Sequence, residues 1–313
     1  MSFTAKWKFD GVLAGIILAW FVVGRLFFSA WDLDLYFTRA SATLAFLFLS
    51  ATLSLGPLSR LWRPATHFVF NRRHLGVTTW ALAVFHATLV MHYGAKWKPS
   101  NLLIALPEER FLGIPFPLFG AAALAILTVM AATSWDYFFH AWGAPVWKRL
   151  HMLVYVAYGL LVIHALTRFA SDPGPISWKI AVPFFAVVGT VAALHVAAAL
   201  KEGRKDRAGR PREDGLIPLG DFSWLTEGQA TTASAGGERI AIVRFEGALY
   251  ALSNVCTHQN GPLGEGCVRD GYLECPWHGY QFDPRTGQSP PGFDDRVPTY
   301  RIVTVAGITY VKP

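Results

Sequence analysis

The chain has 313 residues and a net charge of +7; 53% of it is hydrophobic and only 16% charged. A soluble protein usually carries about a quarter charged residues, so an ordinary soluble globular chain is excluded as a description of the whole. The charge is also divided, with 21 Lys and Arg against nine Asp and Glu in residues 1–212, and seven against twelve in 213–313.

A bilayer-spanning helix needs about 20 mostly apolar residues, and six such runs follow in order: 11–30, 40–58, 75–93, 116–134, 150–168 and 180–200. The first is followed at once by further spans and lacks a small-residue cleavage site, so it reads as a span and not as a cleaved signal. Arg25 falls near its outer end, where a long side chain can reach the interface. The basic residues sit between apolar runs, which points to lipid and away from nucleic acid.

Lys and Arg in short loops set orientation. One side holds Lys6, Lys8, Arg60, Arg63, Arg72, Arg73, Lys148, Arg149, Lys201, Arg204, Lys205, Arg207, Arg210 and Arg212. The other holds only Arg25, Arg39, Lys96, Lys98, Arg110, Arg168 and Lys179. The bias predicts that both termini lie in the cytoplasm. Residues 1–200 then form the membrane domain, "KEGRKDRAGRPREDG" (201–215) a charged linker, and 216–313 a small all-β domain. In the last, short β-like runs such as "RIAIVRF", "ALYALSN" and "RIVTVAG" alternate with turn residues.

All three cysteines lie in that β domain. Cys256-Thr-His258 and Cys275-Pro-Trp-His278 form two Cys–His pairs sixteen residues apart. Two thiolates and two imidazoles suit the two irons of a Rieske [2Fe–2S] centre, and the bare spacing also suits tetrahedral zinc. Cys267 lies outside the pattern and reads as a spare thiol. The surrounding residues decide between the two. Gly261-Pro262-Leu263, Gly279, Phe282-Asp283 and the proline-rich "TGQSPPG" (286–292) closely resemble the Rieske family.

That resemblance implies a [2Fe–2S] cluster on Cys256, His258, Cys275 and His278. Relative to the Rieske proteins of bc complexes, Gly261 and Trp277 stand where a bridging pair of cysteines would be. Tyr280 and Phe282 stand where hydrogen-bond donors to sulfur would be. Fewer donors to sulfur imply a potential at the low end of the Rieske range, near about −150 mV.

Eight of the ten histidines lie in the membrane half, and an ionisable residue inside a span is a functional-site candidate. At ~1.5 Å per residue, His86 stands about 18 Å beyond His74, and His164 about 20 Å beyond His151. His86 and His164 therefore share one depth, and His74 and His151 another, as axial pairs for haem would. Within each helix the stacked histidines are about 120° and 140° apart, so they do not point one way unless the helix tilts or bulges. His195, on the sixth span, competes with His74 as partner of His151. His67, His92 and His140 read as loop or interface residues.

"NRRHLGVTTWALAVFHATLVMHY" (71–93) and "VWKRLHMLVYVAYGLLVIHAL" (146–166) are similar to the ferric-reductase-like transmembrane family. That family includes the haem-binding membrane subunit of the bacterial methionine sulfoxide reductase system. The motifs fall on Arg72, Arg73, Leu75, Gly76 and His86, and on Trp147, Leu150, His151 and His164. The resemblance implies haem binding by His86, His151 and His164; His74 rests on depth alone.

The expected fold is thus a six-span α-helical membrane bundle followed by a small all-β Rieske domain. The expected function is electron transfer from a cytoplasmic donor, through the [2Fe–2S] cluster and one or two b haems, to a periplasmic acceptor. The donor would be an NAD(P)H-dependent reductase or quinol, and the acceptor a reductase such as a molybdopterin enzyme. No G-x-G-x-x-G with a βαβ setting is present to bind a dinucleotide, and no motif supports the flavin mononucleotide that the resemblance allows. One alternative is a Rieske ferredoxin anchored by a haemless bundle and serving a cytoplasmic oxygenase. Another is a terminal reductase of ferric iron or oxygen acting at the outer haem. No substrate chemistry of the chain's own is expected.

Overall fold

The computed structural model describes residues 3–69, 71–103, 110–142, 144–170, 175–205, 215–258, 260–277 and 279–312. The helices that matter here are α1 (Phe3–Phe27), α2 (Leu33–Leu61), α3 (Arg72–Leu89), α4 (Phe116–Ala132), α5 (Ala144–His151), α6 (Val154–Ala170) and α7 (Pro175–Lys205). A π-helical turn, Val90–Gly94, continues α3. Five apolar stretches are long enough to cross a membrane: Phe9–Phe27, Leu33–Leu61, Arg72–Gly94, Val146–Ala170 and Ile180–Arg204. The sixth, α4, has 17 residues, about 26 Å at ~1.5 Å per residue, which is at the lower bound for a span. The protein is therefore a membrane protein with a helical region of five to six apolar helices.

Contacts divide the chain into two units, residues 2–54 with 71–193, and 55–70 with 194–313. In the helical unit, Leu49, Leu53, Ala123, Leu127, Ala157 and Val191 form a buried core. The small Ala123 and Ala157 let helices pack closely where lipid gives no hydrophobic drive. Threonine hydroxyls in the spans bond back to the carbonyl four residues earlier, as Thr79 does to Leu75 and Thr167 to Ile163. Each is thereby satisfied without water. Arg25 reaches past the end of α1 to the carbonyls of Phe28 and Trp31.

The fifth predicted span is two helices. Leu153 N–H donates to Leu150 O at 3.0 Å and Tyr155 N–H to Met152 O at 3.1 Å. These three-residue bonds tighten the chain at Met152 and Leu153, so the directions of His151 and His164 are not tied to one ideal helix.

The first five residues of the expected linker, 201–205, are helical, because α7 runs to Lys205. Lys201 Nζ donates to Arg60 O at 2.7 Å. Glu202, only 7% exposed, pairs with Arg239 at 3.0 Å. These partners lend the last turn order that its composition alone does not. Residues 206–214 lie outside the described residues.

The β-rich region holds β1 (Ile217–Gly220), β2 (Ala230–Ala235), β3 (Glu238–Phe245), β4 (Ala248–Ser253), β5 (Cys267–Arg269), β6 (Tyr272–Glu274), β7 (Gln281–Phe282), β8 (Thr299–Val305) and β9 (Ile308–Lys312). A six-stranded antiparallel sheet runs β1-β9-β8-β4-β3-β2, and a three-stranded one β5-β6-β7. Strand β3 shows the period of two that builds the domain. Ile240 and Ile242 face one core with Val311, while Ala241 and Val243 face the other with Leu252, Leu263, Leu273 and Phe282. Cys256 and Cys275 lie in that second core.

Candidate redox centres

The β-domain centre stands on two turns. The chain leaves β4 through Asn254, whose side-chain oxygen accepts from Gly264 N–H at 2.7 Å and ties both ends of the first loop together. Asn260 N–H donates to Cys256 O at 2.8 Å, and Cys256 N–H to Gly261 O at 3.0 Å. The second turn repeats the form: Gly279 N–H donates to Cys275 O at 3.0 Å, and Cys275 N–H to Tyr280 O at 2.7 Å. Asn260 and Gly279 take the left-handed backbone (φ +56° and +73°) that closes each turn. Both cysteines are buried, at 0% and 1% exposure. The His258 ring stacks on Tyr280 at 4.1 Å and 4°. His278 lies outside the described residues.

These donors fit a [2Fe–2S] centre: two sulfurs held inside the core and an imidazole at its rim. The backbone also makes room for it. A Cβ on Gly261 would fall 2.5 Å from Cys275 Sγ and 3.3 Å from the Trp277 ring. Positions 261 and 277, where the sequence lacks a cysteine pair, therefore stand side by side next to Cys275. Phe282 is fully buried and offers no donor. Burial, and then the charges of Asp295 and Cys256, hold the Tyr280 phenol above its usual pKa. The proline-rich loop is knitted by Ser289, whose hydroxyl donates to the carbonyls of Phe293 (3.0 Å) and Asp295 (2.8 Å).

In the helical unit, three candidate histidines share one feature. His86 Nδ1–H donates to Thr38 O at 3.0 Å, His164 Nδ1–H to Phe116 O at 2.8 Å, and His151 Nδ1–H to Trp147 O at 3.0 Å. A carbonyl only accepts, so each Nδ1 holds the proton and each neutral ring keeps its Nε2 lone pair. That is the tautomer a metal ligand needs, with the second nitrogen anchored as metal-binding histidines are.

The three sites differ in their surroundings. His151 stacks on Trp147 at 3.7 Å, and its Nε2 is buried with no hydrogen-bond partner. His86 and His164 are near enough to interact electrostatically. The His164 ring lies against α4, where a Cβ on Gly120 would fall 3.0 Å from its Cε1 and Nδ1. The geometry thus suits His86, His164 and His151 to haem ligation, each with its Nδ1 tethered to a carbonyl.

His74 differs. Its Nδ1–H donates to the Asp10 carboxylate at 2.7 Å, with Phe9 edge-on at 6.0 Å. His195 lies on α7 in the unit that carries the β-rich region, and His151 in the helical unit. His92 accepts from Trp97 Nε1 at 3.1 Å at the end of α3. The His67 and His140 side chains lie outside the described ones. Sequence reading missed the carbonyls of Thr38 and Phe116 and the niche at Gly120. Their one signal was a glycine at the start of an alanine-rich span.

Two protein-family descriptions match this chain: "Rieske [2Fe-2S] domain" over residues 216–300, and "Ferric reductase like transmembrane component" over residues 39–162. A ferric-reductase-like transmembrane match thus precedes a Rieske [2Fe–2S] match in one chain, a pairing that implies membrane electron transfer.

It is 40% identical over 70 residues to the anthranilate 1,2-dioxygenase ferredoxin subunit of Burkholderia cepacia, covering 22% of this chain and 65% of that protein. It is 31% identical over 145 residues to the protein-methionine-sulfoxide reductase heme-binding subunit MsrQ of Polaromonas naphthalenivorans (strain CJ2), covering 44% of this chain and 64% of that one. The chain therefore spans just under two thirds of each of these relatives. The ferredoxin of carbazole 1,9a-dioxygenase from Nocardioides aromaticivorans IC177 aligns over 31% of this chain and 97% of its own, at 28% identity and a TM-score of 0.29.

Proposed function

We propose that the protein carries electrons across the bacterial inner membrane, from a cytoplasmic donor to a periplasmic acceptor, with the Rieske domain on the cytoplasmic side. The groups that supply one-electron chemistry when bound are a [2Fe–2S] cluster at Cys256, His258, Cys275 and His278, and b haem at His86 and His164, with His151 marking a second haem position. The observation that carries the reading is the matched tethering of His86 and His164 to backbone carbonyls of neighbouring helices.

The residues' own work is positional. Thr38 and Phe116 hold the Nδ1 protons, which fixes the rings and leaves Nε2 basic. The turns at Cys256 and Cys275 hold both sulfurs inside an apolar core, away from water. Residues 1–200 are proposed as the membrane domain and 216–313 as the Rieske domain. The donor would be an NAD(P)H-dependent reductase or a quinol, and the acceptor a periplasmic reductase such as a molybdopterin enzyme.

The test is the composition of the purified protein, read as haem by its reduced-minus-oxidised spectrum and as cluster by acid-labile sulfide. The reading predicts both in the wild type, and loss of haem with retention of sulfide in His164→Ala. A full cluster with no haem would contradict it and favour a ferredoxin merely anchored in the membrane.

A further inference from the structure

Two side-chain pairs in the helical unit join α3 to α4 and α6 to α2. Trp80 Nε1 on α3 donates to Thr128 Oγ1 on α4 at 3.0 Å, and the Tyr158 hydroxyl on α6 meets Ser50 Oγ on α2 at 3.1 Å. The imidazole tethers instead stay within each helix pair, from His86 on α3 to Thr38 on α2, and from His164 on α6 to Phe116 on α4. Each residue of the first set has its counterpart 78 positions later: Thr38 and Phe116, Ser50 and Thr128, Trp80 and Tyr158, His86 and His164. Buried positions repeat at the same offset, in Ala45 and Ala123, Leu49 and Leu127, and Thr79 and Ala157.

The offset also has a steric logic. In a helix the carbonyl of one residue points at the N–H of the fourth residue on, so a side chain there crowds any outside donor. The fourth residues after Thr38 and Phe116 are Ala42 and Gly120, both small. Unrelated histidines have no reason to share a tether, a crossed bond and a small residue at one constant spacing.

We propose that α2–α3 and α4–α6 are two copies of one helix pair related by a pseudo-two-fold axis, with His86 and His164 as equivalent ligands of a single haem on that axis. The crossed Trp80–Thr128 and Tyr158–Ser50 bonds are then matched positioning contacts that set where the two imidazoles stand. This rests on the haem reading above and adds how the ligand pair is built. Related by that axis, His86 and His164 would present equivalent imidazoles to a haem bound between them. The relation ends at the other level: the offset carries His74 onto Met152 and Arg73 onto His151, where α5 and α6 part. The duplication therefore defines one ligand pair.

The test uses the full chain with its haem, in detergent. Tyr158→Phe and Thr128→Val each remove one hydroxyl from one crossed bond with little change in volume. The readouts are the low-spin ferric haem electron paramagnetic resonance spectrum, the haem midpoint potential and haem content. Both variants should keep their haem and shift spectrum and potential in the same direction by similar amounts. The double variant should shift by about their sum, Ser50→Ala should reproduce Tyr158→Phe, and Thr128→Ser should retain the wild-type spectrum. A shift in one variant with none in the other, or none in either, overturns the pairing alone. A wild type without haem contradicts the proposed function and this pairing together.

Discussion

In the β domain the described candidate ligands Cys256, His258 and Cys275 stand on loops, whereas His86 and His164 stand within helices 78 residues apart in sequence. The first centre is fixed locally: each cysteine is closed into its turn by backbone bonds within five residues. The second is fixed across helices, by imidazole bonds that bridge 48 residues. A loop site holds its ligands through turn chemistry and so requires particular residues, Gly261 and Gly279 among them. A helical site holds its ligands through packing and needs only space and a carbonyl in reach.

That difference can be broken one centre at a time. The largest effect is expected from Cys275→Ser, which takes a buried sulfur from the cluster site. Acid-labile sulfide should fall to background while the haem spectrum stays, because the proposed haem ligands His86 and His164 lie in the helical unit. Gly261→Ala comes next, since its methyl would stand 2.5 Å from Cys275 Sγ. Overpacking of this kind costs about 1–3 kcal/mol, and the variant should hold markedly less cluster per chain, read by sulfide and visible absorbance.

Gly120→Ala is milder, with a contact of 3.0 Å to the His164 ring. It should displace the imidazole and change the haem spectrum while leaving the cluster intact. The smallest effect is a pH dependence in the β domain. Burial, and then the bond to the Glu238 carboxylate, push the Tyr300 phenol up to about 12 from its ordinary 10.0. The folded state holds that proton more tightly, so this contribution to stability is complete below pH 10 and lost between about 10 and 12. Thermal melts of the β domain should lose that slope in Tyr300→Phe.

The same difference explains what the sequence made legible. Cys256 to His258 and Cys275 to His278 are short contiguous motifs, because a turn is a local structure, and the family resemblance followed from them directly. Six apolar runs were equally plain, since a span must be apolar along its whole length. The break after His151 was not, because three-residue bonds at Met152 and Leu153 leave no mark on hydropathy. The helicity of 201–205 was hidden in a charge-rich stretch, where Arg60 and Arg239 supply partners from distant parts of the chain. The tethers at Thr38 and Phe116 could not be read at all, because a carbonyl is the same for every residue type. Gly120 was visible only as a small residue, and its meaning appeared once His164 lay against it.

The central claim is that electrons cross the membrane through this chain. The most direct measurement uses sealed vesicles with the Rieske domain outward, ferricyanide trapped inside, and a ferredoxin reductase with NADH outside. The account predicts that the trapped ferricyanide is bleached in the wild type and persists in His86→Ala and in His164→Ala. A reduced cluster beside unbleached ferricyanide in the wild type would contradict it.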